Sequence, residues 1–341
     1  MRRGWDWAMP LAAVLLAMAV SAVLLALLGA SPQRALGALV RGALGDAIAV
    51  ENTLVRTAPL LLIGLGIAIS FRGGIWNIGG EGQLYVGALA ATAISTRLVP
   101  TLSGPADSGL LALPLALGVG GLAGALWGGI AAALRVSRGV SEVLSTILLN
   151  FVAILLVSYV VHGPLQEALA TYPQSDVFPE SARLPLLPGT LRIHAGLLLV
   201  AGAPFLVWLL LFRTAAGVRL RAVGLNPEAA RFAGISTARE TFRVLLLSGG
   251  LAGLAGALEV CGVTGRLFEN LSPGYGFTAI AVALLARLHP LGIVPTALFF
   301  AALATGSGAM QRAAGVPAVT VQVIEGLVVL FSVGFALRRR G

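Results

Sequence analysis

The stretch RTAAGVRLRAVGLNPEAARFAGISTARETFR, residues 213–243, decides how the rest of the chain is read. It carries six arginines, at 213, 219, 221, 231, 239 and 243, and separates two long apolar runs. Within it, a short helix has its own start and stop signals. Asn226 suits the N-cap, and Pro227 suits the first helical position, where a missing N–H costs nothing. Glu228 falls in the first turn, against the positive end of the helix dipole. Ala229 and Ala230 keep the helix slim, and Gly234 suits the left-handed residue that ends it. Thr237-x-x-Glu240 has the form of a capping box and predicts the start of the next helix. The spacing therefore predicts a helix of about two turns, held between two apolar spans on an arginine-rich side.

Working outward, 57% of the 341 residues are apolar and only 11% are charged, against the roughly 25% charged of soluble domains. Mean hydropathy is +0.93. The chain reads as an all-α polytopic membrane protein. Its net charge of +9 does not point to nucleic acid, because the basic residues punctuate apolar runs and form no stripe. All 23 basic residues are arginine, so a P-loop lysine is excluded and nucleotide hydrolysis must belong to another chain. The single cysteine, Cys261, cannot form an internal disulfide. His162, His194 and His289 are scattered without metal-ligand spacing. No cofactor, metal or catalytic site is expected, and the chain is read as no enzyme.

In order along the chain, the apolar run Ala8–Ala30 is longer than a signal-peptide core and ends in a poor cleavage site, so a retained first span is expected. Residues 31–52 suit a surface helix, and 53–71 a second span. The next segment, Phe71-Arg-Gly-Gly-Ile-Trp-Asn-Ile-Gly-Gly-Glu-Gly-Gln-Leu-Tyr85, is crowded with glycine and with side chains costly to bury. Broken backbone at membrane depth is tolerated only where protein covers it or it lines a watery cavity. Span four, 110–133, carries Gly120, Gly124 and Gly128 at the four-residue spacing of close helix packing. Span five ends near His162 with Asn150 at mid-depth. Five prolines mark an extracytoplasmic loop over 163–193. Span six is 194–212 and span seven 243–263. A glycine-rich break at 272–276, a short span to Leu288, a run over 291–305 and a last span over 318–337 with Gln322 and Glu325 complete about ten spans.

Ten spans leave both termini on one side. That side carries 15 arginines near span ends (2, 3, 72, 135, 138, 213, 219, 221, 231, 239, 243, 287, 338, 339 and 340) and the other carries 8. The positive-inside rule then makes the termini and the 213–243 loop cytoplasmic. The two halves, 53–162 and 243–337, share an order of span, glycine-rich break, short span, run and span with a polar residue. Their opposite orientation predicts an inverted repeat, and short or broken helices at matching places mark a substrate path.

Gly224-Leu-Asn-Pro-Glu-Ala-Ala230, with Gly234 seven residues after Pro227, resembles the coupling loop of ATP-binding-cassette importer permeases. Asn77-Ile-Gly-Gly-Glu-Gly-Gln83, preceded by Phe71-Arg-Gly-Gly74, is similar to the nucleoside or simple-sugar branch of the family serving branched-chain amino acids, ribose and nucleosides. The resemblance covers roughly residues 50–335. It implies a single permease domain in a bacterial inner membrane and a cytoplasmic ATPase docked on Gly224, Asn226, Pro227, Glu228, Ala229, Ala230 and Gly234. It further implies an extracytoplasmic substrate-binding protein and a second permease, with a heterodimer preferred over a homodimer.

Candidate path residues are Trp76, Asn77, Glu81, Gln83, Asn150, Phe277, Gln322 and Glu325. Amides suit an uncharged, hydrogen-bonding solute and aromatics suit stacking, which favours a purine nucleoside first and a pentose-like sugar second. The intramembrane carboxylates Glu81, Glu259 and Glu325 leave an ion-coupled secondary transporter as the alternative. The capped helix in 213–243 argues against it, since such a carrier needs no docking element there. A non-transporting scaffold has little support.

Overall fold

With no water in the bilayer core, a chain so poor in polar side chains must hydrogen-bond its own backbone, and helices do this within one segment. The computed structural model describes residues 8–98, 109–189, 191, 193–317 and 319–338. Arg2, Arg3, Arg192, Arg339 and Arg340, which enter the arginine count, lie outside them. Among the described residues there is no strand, only two isolated bridges, Gln174–Phe268 and Leu186–His194.

The first half comprises α1 (Ala8–Leu27), α2 (Pro32–Leu44), α3 (Ala47–Arg72), α4 (Gly80–Ala93), α5 (Gly109–Arg138) and α6 (Glu142–Val161). The second comprises α7 (Gly196–Arg213), α8 (Ala215–Leu225), α9 (Pro227–Phe232), α10 (Thr237–Glu259), α11 (Tyr275–Leu285), α12 (Pro290–Ala314) and α13 (Val319–Arg338). Seven of these, α1, α3, α5, α6, α7, α10 and α12, are long and apolar enough to cross a membrane; α11 and part of α13 form shorter apolar helices. Between α3 and α5, the largely buried α4 is a further short helix of 14 residues.

Two helices form the centre. α3 and α10 are mostly buried, whereas α5, α6 and α7 keep apolar residues on their outer faces. Lipid is an adequate solvent for those faces, so outward leucines here need no other partner. α3 and α10 run antiparallel: Gly66 lies against Ser248, and Gly73, just past the end of α3, lies against Val244, nearer the start of α10. Each central helix packs against the other half. α10 contacts α4 and α5, and α3 contacts α11 and α12. Within residues 53–162 and 243–337, the leading helix of each segment thus packs mainly on the second and third helices of the other.

Glycine makes the closest of these contacts possible. A methyl on Gly124 would sit 2.5 Å from the Gly253 Cα, and one on Gly253 would sit 2.7 Å from the Gly124 Cα. With no driving force from apolar burial between helices in lipid, such backbone approach is how they associate.

Several boundaries differ from the sequence reading. α2 is no simple surface helix, because Ala35, Ala38, Leu39 and Ala43 bury one face and the helix packs on α12. There Gly306 faces the Leu39 backbone, so the Gly306-Ser-Gly308 stretch lies inside α12 and does not end it. The 163–193 loop folds back over the end of α10: Ser175 N–H donates to the Leu267 carbonyl (2.7 Å), Phe178 N–H to Gly265 (2.9 Å) and Leu184 N–H to Cys261 (2.8 Å). Ser175 and Phe178 are buried by this cover.

Gly124→Ala is expected to lower the thermal stability of the purified chain by overpacking, roughly 1–3 kcal/mol. Gly118→Ala, on the same helix with nothing within 4 Å of the added methyl, should leave it unchanged. Equal melting of the two variants would contradict the packing described.

Candidate functional site

α3 stops at Arg72, and seven residues of irregular chain follow before α4 begins at Gly80. Gly73 and Gly74 start the break, and Gly74 takes φ +73°, a conformation open to glycine. In lipid every N–H and carbonyl of such a segment needs a partner. The N–H groups of Gly73, Gly74 and Ile75 turn back to carbonyls of α3, and a neighbouring helix supplies others. Trp76 N–H donates to Glu142 Oε1 (3.3 Å) and Ile78 N–H to Thr146 Oγ1 (3.3 Å). Asn150 serves two groups at once, donating to the Ile78 carbonyl (2.9 Å) and accepting from Gly82 N–H (2.8 Å). Glu142, Thr146 and Asn150 recur every four residues on one face of α6, so a single helix edge lines up against the break. Arg135 pairs with Glu142.

Asn77 and Gln83 close the break from the other side. Their amides bond reciprocally, Asn77 Nδ2 to Gln83 Oε1 at 3.0 Å and Gln83 Nε2 to Asn77 Oδ1 at 3.1 Å. Asn77 Nδ2 also donates to Ser248 Oγ of α10 (2.8 Å), and Asn77 Oδ1 accepts from Gly79 N–H (2.9 Å). Both side chains are only 1% exposed. In this conformation the two amides lock the break shut and tie it to α10.

Glu81 occupies the junction where the two short helices start. It lies in the first turn of α4, and its Oε2 accepts from Gly276 N–H of α11 at 2.6 Å. Beside it, Ser272 Oγ accepts from Gly274 N–H (3.2 Å) and Tyr275 N–H (3.0 Å) at the start of α11. From this junction the helices diverge. α4 leads to the turn where Arg97 reaches the Pro164 carbonyl, and α11 leads to Leu288, whose carbonyl accepts from Arg72 Nε (2.7 Å). One carboxylate therefore joins two helix N-termini, each with its positive dipole end toward it.

The remaining path candidates stand apart. Trp76 is 53% exposed and packs at 4.5 Å on Phe71, at the Gly74 end of the break. Phe277 is half exposed on the first turn of α11. Gln322 is exposed and Glu325 half-buried on α13, on neighbouring flanks one turn apart. The structure thus joins Asn77, Gln83 and Asn150 in one network, places Glu81 beside it, and leaves Phe277, Gln322 and Glu325 on other surfaces. Ser248, Thr146 and Glu142 complete the network without having been singled out from the sequence. Their only sequence signal was the four-residue spacing of Glu142, Thr146 and Asn150.

The 213–243 stretch folds largely as its caps dictate. Asn226 Oδ1 accepts from Glu228 and Ala229 N–H, both at 3.0 Å; Pro227 opens α9, and Gly234 takes φ +79°. Two features differ. Residues 215–225 form α8, capped by Thr214 Oγ1 on Gly217 N–H (3.1 Å), a helix the sequence reading did not include. The expected Thr237-x-x-Glu240 box does not form. Ser236 is the cap, and Glu240 is drawn inward to Arg243 and Arg219 (3.6 Å), ion pairs that a reciprocal cap would forfeit.

On α9 and its flanks, Asn226, Pro227, Glu228 and Ala229 are exposed, whereas Ala230 is buried against the rest of the chain. Leu225 and Phe232 bracket the helix at 87% and 94% exposure.

With this geometry established, three comparisons bear on the chain. The family described as "Branched-chain amino acid transport system / permease component" matches residues 49–333. Among curated proteins, the chain is 38% identical to the glucose ABC transporter permease protein TsgB13 of Haloferax volcanii, over 97% of this chain and 91% of that one. It is 34% identical to the guanosine ABC transporter permease protein NupP of Bacillus subtilis (94% and 91% covered). It is 30% identical to the nucleoside ABC transporter permease protein NupB of Lactococcus lactis (94% and 89% covered). A second permease protein from each of the three organisms also matches, at 30%, 31% and 28% identity respectively. No solved structure matches significantly.

Asn77→Leu would leave the Gln83 amide and Gly79 N–H buried without partners, each at about 1–3 kcal/mol. The expected result is a marked drop in melting temperature, while Trp76→Ala, on an exposed position, melts as the unsubstituted chain does. An Asn77→Leu protein of undiminished stability would contradict the locking role given to this amide.

Proposed function

Since the chain belongs to the permease family of branched-chain amino acid transport systems and is an ABC importer permease, we propose that it carries a purine nucleoside or a sugar inward, driven by ATP hydrolysis in a separate subunit. The solute class rests on the relatives, whose names divide between glucose and nucleosides. Trp76, exposed and packed on Phe71, favours the nucleoside, because an exposed aromatic face suits stacking on a base. The path candidates keep their roles within this reading. Asn77, Gln83 and Asn150 hold the break closed in the conformation seen, and their amides become available to solute when it opens. Glu81 holds the start of α4 to the start of α11 and marks where the halves part. The repeat halves 53–162 and 243–337 move against each other about that point.

The reading places α9 in the cytoplasm, with both termini, because arginines concentrate on that side. The observation that carries the docking is a capped, exposed helix bracketed by two almost fully exposed apolar side chains. Leu225 and Phe232 are the anchors and Asn226–Ala229 the ridge between them; Gly234 turns the chain back toward α10. Truncating a large anchor at such a contact costs more than truncating its neighbours. Ala230, facing inward, supports the helix from behind.

A second permease completes the membrane unit. The paired permeases of three relatives favour a heterodimer, and the exposed Gln322 beside Glu325 on α13 suits a protein neighbour better than lipid. An extracytoplasmic binding protein delivers solute on the opposite face, over the folded-back 163–193 loop. The membrane is the bacterial inner membrane.

Phe232→Ala is expected to weaken co-purification of the ATPase by at least about tenfold, the scale of a hot-spot anchor. Glu228→Ala, on the rim of the same helix, should change it little. Unchanged association for Phe232→Ala would contradict docking through this helix. The solute is tested by titrating the companion binding protein with nucleosides and sugars. Tight binding of guanosine or adenosine supports the first choice, and binding of neither class refutes both.

A further inference from the structure

We propose that Gly224 transmits the movement of α8 and α9 to the 73–79 break, by seating α8 directly on the backbone of Arg72–Gly74. This inference rests on α9 being the ATPase contact, but it assigns Gly224 to the opposite, inward face of that element.

Three observations converge. First, the contact is backbone on backbone. A methyl on Gly224 would overlap the Arg72 carbonyl and lie 2.9 Å from the Gly73 carbonyl carbon, and a methyl on Gly74 would lie 3.0 Å from the Gly224 Cα. No side chain intervenes, so no change of rotamer absorbs a displacement, and close-packed groups pass it on. Second, the contact is reinforced at its edge. Arg72 and Arg221 both stand over the Phe212 ring at 5.1 Å, which links the end of α3 to α8, and Arg72 Nε also holds the Leu288 carbonyl. Leu288 and Arg287 both take positive φ, so the turn after α11 is held in a sparsely populated conformation by this same arginine. Third, there is room to move. A cavity of about 300 Å³ lies beside the contact, lined by residues including Gly73, Ile75, Arg135, Val223, Pro227 and Thr241.

Movement at Gly224 therefore reaches two places. It reaches the break, whose partners on α6 and α10 must be released for the Asn77–Gln83 lock to open. Through Arg72 it also reaches the end of α11, whose other end is fixed to Glu81. Both short helices that start at the Glu81 junction are thus connected to one glycine in the arginine-rich loop.

The test uses the assembled transporter in proteoliposomes, with Gly224→Ala and Gly74→Ala as variants. Co-purification of the ATPase and its ATP hydrolysis should remain close to the unsubstituted level, while solute uptake falls by roughly tenfold or more, as misplacement by an ångström allows. Normal uptake in both variants overturns the proposal. Loss of ATPase association with Gly224→Ala also overturns it, by making Gly224 a docking residue while leaving the docking reading intact. Retained association in Phe232→Ala would instead remove the docking reading. If the alanine variants fail to insert, hydrogen exchange on the unsubstituted complex decides. Amides of residues 74–79 should change protection between the nucleotide-free and ATP-bound states, and unchanged protection overturns the proposal.

Discussion

The bilayer offers no water to an unpaired backbone group, and that constraint accounts for most of this molecule. Ordinary spans meet it within themselves. The segment 73–79 meets it partly through carbonyls at the end of α3 and partly through Glu142, Thr146, Asn150, Ser248 and Gln83, each of which takes up one or more of its groups. A polar network of this kind is worth keeping only when every member is satisfied, because a half-satisfied one is worse than an apolar core.

The second short helix makes the arrangement symmetrical in mechanics if not in detail. α4 and α11 start at one point and run apart, with Glu81 reaching from one to the other. α3 and α10 cross between the halves, and neither packs chiefly on its own repeat. Glycines at 87, 120, 124, 249, 253 and 256 let α4, α5 and α10 touch by backbone, so this group is stiff. Gly74, Gly234 and Gly274 take positive φ where helices end or begin.

Much of this was legible in the sequence, for identifiable reasons. Apolar length gave the spans, and the Asn226-Pro227 start with Gly234 gave α9, because capping is local chemistry that a short window contains. The broken segment showed itself through the cost of burying Asn77, Glu81 and Gln83. Less legible was anything that depends on a partner distant in sequence. Glu240 read as half of a local capping box because Arg219 was out of view. α8 went unseen because Gly217 and Gly224, poor helix residues, are there for close approach to Leu211 and Arg72. Asn77 and Gln83 announced through their polarity that they need partners, and in this structure they partner one another.

In the proposed function, ATP hydrolysis by a separate subunit, and no ion gradient, moves solute through this chain. Uptake of labelled guanosine or glucose should be measured in proteoliposomes holding the permease pair, ATPase and binding protein, with the ATPase on the ATP-containing side and no ion gradient. Accumulation that requires ATP, stops with a non-hydrolysable analogue and ignores proton or sodium gradients is the predicted result. Uptake by the permease alone, driven by such a gradient and indifferent to ATP, would contradict it.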